Sequence, residues 1–256
     1  TIVWSVGPII ASFIGGYLQK IFGWQSNFYV LAGYSLLLLI FEFLFSGETL
    51  KVRKNLSINL LVKEYDTMFK AKDFFYGMLM CGLGYSMIMF FNLCGSFIIE
   101  HKMGYSEVVA GYVSLILGFA WMLGGFFGKA LINRAFLPKL RAANFLQLAL
   151  IILMFVASFF LNTIYSLVIF AFVIHVTAGF IFNNYFTYCI GRFPNSAGIA
   201  GGLTGGTVFI LTSAISYGMV ALLKPQIQME VAEGYFLMGV LGLFVLSLIK
   251  FRKAHG

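Results

Sequence analysis

The sequence predicts an all-α polytopic membrane protein, and three observations carry that prediction. Of its 256 residues 61% are hydrophobic and 10% are charged, where a soluble domain carries about 25% charged residues. Mean hydropathy is +0.94, and the apolar residues gather into stretches of bilayer-spanning length. The basic residues concentrate in alternate breaks between those stretches. A soluble core cannot hide this much apolar surface, and the same numbers exclude intrinsic disorder. Three cysteines, Cys81, Cys94 and Cys189, all inside apolar runs, exclude a disulfide scaffold.

Eight stretches are long enough to cross a bilayer as helices. They run at approximately 1–18, 25–46, 74–99, 106–132, 142–161, 164–190, 197–223 and 234–250. The first opens on Thr1 with no basic segment ahead of it. That argues against a signal peptide and reads as the interior of a longer protein. Glu100, His101, Lys102 and Gly104 part the third from the fourth, and an Asn162-Thr163 turn parts the fifth from the sixth. Arg192-Phe193-Pro194-Asn195 breaks the sixth from the seventh, with Pro and Asn as punctuation.

Charge gives sidedness. One set of breaks, with the C-terminus, holds 14 Lys and Arg; the opposite set holds Lys20, Lys102 and Lys224. By the positive-inside rule the 46–73 loop and the C-terminus are cytoplasmic. The net charge of +8 then fits anionic headgroups and calls for no nucleic-acid partner. Within 46–73, Ile58, Leu61, Val62, Tyr65, Met68 and Phe69 form one apolar helical stripe opposite Lys63, Glu64, Asp66, Lys70 and Lys72. This predicts a helix lying in the membrane interface.

Several motifs then resemble a known family. Gly7-Pro8 through Gly15-Gly16, then Phe22-Gly23-Trp24-Gln25-Ser26-Asn27-Phe28, then Gly47-Glu48-Thr49-Leu50 resemble the antiporter signature region of the major facilitator superfamily. More closely they resemble its bicyclomycin-resistance type of drug/proton antiporter. Ser12, Gln25 and Gly47 depart from that pattern, as does Ser96 in Asn92-Leu93-Cys94-Gly95-Ser96. Gly118 through Gly128 with Arg134, and Phe193 through Gly205, extend the likeness to the C-terminal half. The resemblance implies a partial major facilitator fold of about eight transmembrane helices, corresponding to spans five to twelve. Residues 1–46 would be the last two spans of an N-terminal half, 47–73 the linker, and 74–256 a six-helix C-terminal half. It also implies proton-coupled export of small amphipathic compounds from a bacterial inner membrane, by a monomer without cofactor or metal. Uptake of a metabolite by a symporter, or a fragment that transports nothing alone, are the alternatives. Gly7, Pro8, Gly15 and Gly16 would be the antiporter-motif residues.

The candidate site residues follow from position. His175 is the ionisable residue nearest the middle of a span. Such groups face a wet cavity or a partner, so His175 either couples protons or bonds a neighbouring helix. On the same span His175, Gly179, Phe182 and Phe186 share a face flanked by Asn183, while Thr177, Asn184 and Tyr188 lie opposite. Tyr85, Met89, Asn92 and Ser96 fall at i, i+4, i+7 and i+11. That stripe suits either an adaptable apolar pocket or packing on a sister helix. Glu42, near a span end, reaches water, and Glu100 and Glu107 fall at the outer loop. Gly124 and Gly128, and Gly198, Gly202 and Gly206, are spaced for close helix packing. No His/Asp/Glu/Cys cluster and no phosphate-binding GxxxxGK[ST] points to an enzyme.

Overall fold

The computed structural model describes residues 11, 14–47 and 57–249. Gly7, Pro8, Ser12 and the Glu48-Thr49-Leu50 motif lie outside the described residues, as do the basic residues at 51–54 and 250–253. No strand occurs among the described residues. α1 (14–22) ends at Gly23, whose φ of +82° turns the chain. α2 (Gln25–Phe45) buries none of its residues and exposes Tyr29, Leu39 and Phe43. A helix apolar all round that buries none of its residues among the described ones suits a lipid environment.

α3 (Ile58–Lys70) starts where the Ser57 hydroxyl accepts from the Leu60 N–H at 3.2 Å. It ends one residue before α4 (Lys72–Phe97), which runs on through a π turn at Ile98–Lys102. Gly104, at φ +73°, reverses the chain into α5 (Glu107–Ala130). α6 (Phe136–Ala157) begins six residues before the predicted start. Lys139 and Arg141 interrupt the apolar pattern there, yet they are ordinary helix residues at a polar end. The Thr163 hydroxyl caps α7 (Ile164–Arg192) by accepting from Ser166 N–H at 3.2 Å. A 3₁₀ turn led by Pro194 joins α7 to α8 (Ala197–Leu223), which ends at Lys224 in the left-handed conformation. The Glu230 carboxylate accepts from the Gln226 and Ile227 N–H groups and opens α9 (Gln228–Leu248). Among the described residues seven helices, α2 and α4–α9, are long and apolar enough to cross a membrane.

α4 and α7 form the centre. α5 packs on α7, α8 on α4, and α6 and α9 pair with each other against α7 and α4. The α5–α7 contact is backbone to backbone. A Cβ at Gly124 would strike the Val176 carbonyl and the Phe180 amide, and one at Gly179 would strike the Trp121 carbonyl. α8 behaves otherwise. Its buried side is Ala200, Thr204, Val208, Thr212 and Ser216, and Gly198, Gly202 and Gly206 face open space. Small polar residues at i, i+4 spacing do the packing expected of the glycines. Their hydroxyls return to carbonyls: Thr212 donates to Gly82 O at 3.3 Å and Thr204 to Ala200 O at 2.7 Å.

The starts of α4, α6 and α8 and the end of α7 meet at one end of the bundle, with α3 against them. Tyr188 OH and Arg192 Nε both donate to Asp73 Oδ2, at 2.6 and 2.7 Å. Ser196 Oγ donates to Glu64 at 3.2 Å, and Met68 of α3 is fully buried beside Phe74, Cys189 and Ala200. This edge of α3 packs, and Phe69 adds a ring contact to Phe75 at 6.3 Å. Ile58, Val62, Tyr65 and Phe69 of the same apolar stripe stay exposed, as an interfacial helix requires.

Candidate functional site

α4 is buried along most of its length, and the predicted stripe lies on its partly exposed side with Leu93. Cys81, Met87, Phe90, Phe91 and Cys94 turn inward, while Tyr85, Met89 and Ser96 are half-buried and Asn92 is exposed. The stripe exists because α4 meets α7, α8 and α9 on its other sides. Around Tyr85 the fold adds aromatics from three helices. Its ring lies 5.6 Å from Trp121 of α5, 5.7 Å from Phe182 of α7 and 6.4 Å from Phe209 of α8. Phe182 stacks on Phe186 at 5.3 Å. Phe209 is 53% exposed, so the cluster reaches the surface beside the stripe. A surface of aromatic faces, a thioether and an amide suits flat, apolar or cationic molecules. Trp121 and Phe209 were missed in the sequence because both sit among many other apolar residues. Only the packing of three helices onto α4 singles them out.

His175 does not join this surface. It is fully buried, its Nε2 lies 2.9 Å from the Tyr235 hydroxyl of α9, and the Phe91 ring stands edge-on at 5.8 Å. The bond to a neighbouring helix is therefore made. A phenylalanine at 175 is expected to lower stability by about 1 kcal/mol, read as a lower melting temperature of the detergent-solubilised protein. Tyr235→Phe should do the same, and the double variant should add little more.

Asn183 and Asn184, assigned to different faces of their span, line one cavity of about 300 Å³ with Gly125, Gly128, Lys129, Lys139 and Tyr188. Consecutive residues both reach it because α5 presents glycine twice. A Cβ at Gly125 would lie 3.1 Å from the Asn183 amide nitrogen, and one at Gly128 3.0 Å from that of Asn184. Each amide donates to its own helix, to Gly179 O and Phe180 O at 2.8 Å. The asparagines therefore face α5, and no residue of the Tyr85 stripe lines their cavity. Gly15 lies 3.4 Å, by an added Cβ, from Asn27 Oδ1, and Gly16 faces open space. Glu42 is exposed on α2 beside Leu38 and Phe45, Glu107 is exposed, and Glu100 is half-buried in the π turn. Among the described residues no three His, Cys, Asp or Glu side chains gather as metal ligands would.

Seven spanning helices, with an aromatic and amide stripe on one central helix and charge concentrated at one end, define a multi-pass integral membrane protein. A family model described as Major Facilitator Superfamily matches residues 1–217. The chain belongs to that superfamily. It is also similar to a bicyclomycin resistance protein homologue of Haemophilus influenzae, 26% identical over 154 residues. That match covers 59% of this chain and 37% of the relative, so the chain spans well under half of the curated relative's length.

Proposed function

We propose that the protein containing this chain is a proton-coupled secondary transporter. It exports small amphipathic compounds from a bacterial cytoplasm by alternating access, as a monomer in the inner membrane. The observation that carries this reading is the Tyr85-Met89-Asn92-Ser96 stripe, turned outward from α4 and continued by Trp121, Phe182 and Phe209. Sites of such transporters lie near the bilayer midplane between two bundles, and the stripe runs along the middle and far part of α4. The relative's drug-resistance name supports the export direction. The 14-to-3 split of basic residues supports a cytoplasmic end at Asp73 and Arg192. His175 tethers α7 to α9 in this reading, and the proton-coupling group lies elsewhere.

The test uses the full-length protein in everted vesicles with an inside-acid gradient. Adding cationic or neutral amphiphiles should release protons; silence across a broad panel from a folded, inserted protein refutes antiport. Tyr85→Ala should raise the half-saturating drug concentration about tenfold, by the 1–2 kcal/mol typical of one aromatic contact. His175→Ala should retain the exchange, and its loss with folding intact would return the coupling role to His175.

A further inference from the structure

A second apolar cavity, of about 410 Å³, adjoins the one that holds the asparagines. Phe127 of α5 and Leu131 just beyond its end, Ala142, Ala143 and Leu146 of α6, and Val176 and Phe180 of α7 line it. Ala142 and Ala143 open it by their small size, and Phe127 and Leu146 on its rim are more than half exposed. It is therefore a groove on the outside of the bundle, where lipid runs. Lys139 lines both cavities. Its ammonium is pinned at their junction by the Leu131 carbonyl at 3.1 Å and stands 5.8 Å from the centre of the Phe136 ring. That bond uses one of three N–H donors.

The junction suits a negative charge in three ways. Lys129 lines the first cavity with Lys139. Phe136, in the first turn of α6, lines it too, and that turn has no acidic residue and no side-chain cap. Helix N-termini favour anions. Asp73, behind Tyr188, already pairs with Arg192. A pocket bearing two lysines thus adjoins, at Lys139, an apolar groove between α5, α6 and α7. The pieces match a charged head and an acyl tail.

We propose that this junction binds an anionic phospholipid of the leaflet at the basic end of the bundle. The phosphodiester sits between Lys129 and Lys139, and one acyl chain lies in the groove over Ala142 and Ala143. The site is separate from the Tyr85 stripe and does not depend on transport. The full-length protein, delipidated in detergent, is titrated with phosphatidylglycerol and with phosphatidylcholine of the same chains, and bound lipid is counted by native mass spectrometry. Wild type should prefer phosphatidylglycerol. Lys139→Gln should weaken it about fivefold and abolish the preference, and Lys129→Gln should do likewise if the first variant folds poorly. Lys70→Gln, at the same end and of equal charge change, should leave binding unchanged. Ala143→Phe, which fills the groove, should weaken both lipids. Equal loss in the Lys70 and Lys139 variants would reduce the effect to general surface charge and overturn the site. Unchanged binding in Ala143→Phe, or displacement of phosphatidylglycerol by millimolar inorganic phosphate, would overturn the lipid as occupant.

Discussion

Valine at position 179 should force α5 and α7 apart and cost about 3 kcal/mol or more. The Gly179 and Gly124 backbones meet with no room for a Cβ, and the obstructing atoms are the Trp121 and Val176 carbonyls and the Phe180 amide. A flexible side chain could swing aside, but a hydrogen-bonded helix backbone cannot. The expected result is a detergent-solubilised protein that melts far below wild type or does not accumulate. Gly202→Ala is the control, because that glycine faces open space on α8. There a helical Gly→Ala change should be neutral or stabilise by up to about 1 kcal/mol. Equal damage from both substitutions would mean that α5 and α7 do not meet as described.

Asp73→Ala should be the most costly change at the basic end. One carboxylate oxygen accepts from both Tyr188 and Arg192, so its removal strands two donors. Asp73 is 13% exposed and Arg192 37%. Solvent reaching the guanidinium screens part of the loss, which leaves about 1–3 kcal/mol rather than the larger cost of a fully buried pair. Arg192→Ala should cost less, since Asp73 keeps the Tyr188 hydroxyl. The double variant should fall short of the sum of the two singles. Strict additivity in thermal unfolding would show that the pair does not couple.

The helices were legible because each bilayer-length apolar run leaves the backbone one hydrogen-bonded solution. α8 at 197–223 matches its predicted bounds, since a Pro-Asn break and a lysine bracket a clean run. α6 does not, because Lys139 and Arg141 obey helix propensity while violating the apolar pattern. The Tyr85 stripe was visible as a period, and its residues are partly exposed on α4. What the period does not carry is which side a neighbour takes. The α8 glycines and the Thr204-Thr212-Ser216 row have the same spacing, and only the packing against α4 chooses between them. His175 likewise reads the same to a partner or to water until Tyr235 is brought beside it from 60 residues away.

One joint has a mechanical consequence. A single extended residue, Ala71 at φ −74° and ψ 93°, separates α3 from α4, and Met68 and Glu64 fasten the near half of α3 to the bundle. Thirteen residues of helix at 1.5 Å per residue make a rigid arm of about 20 Å. Fastened beside Ala71, the arm follows the bundle it is joined to. A tilt of the six-helix body by roughly 10° sweeps Ser57 through about 3 Å, the length of the arm times the angle.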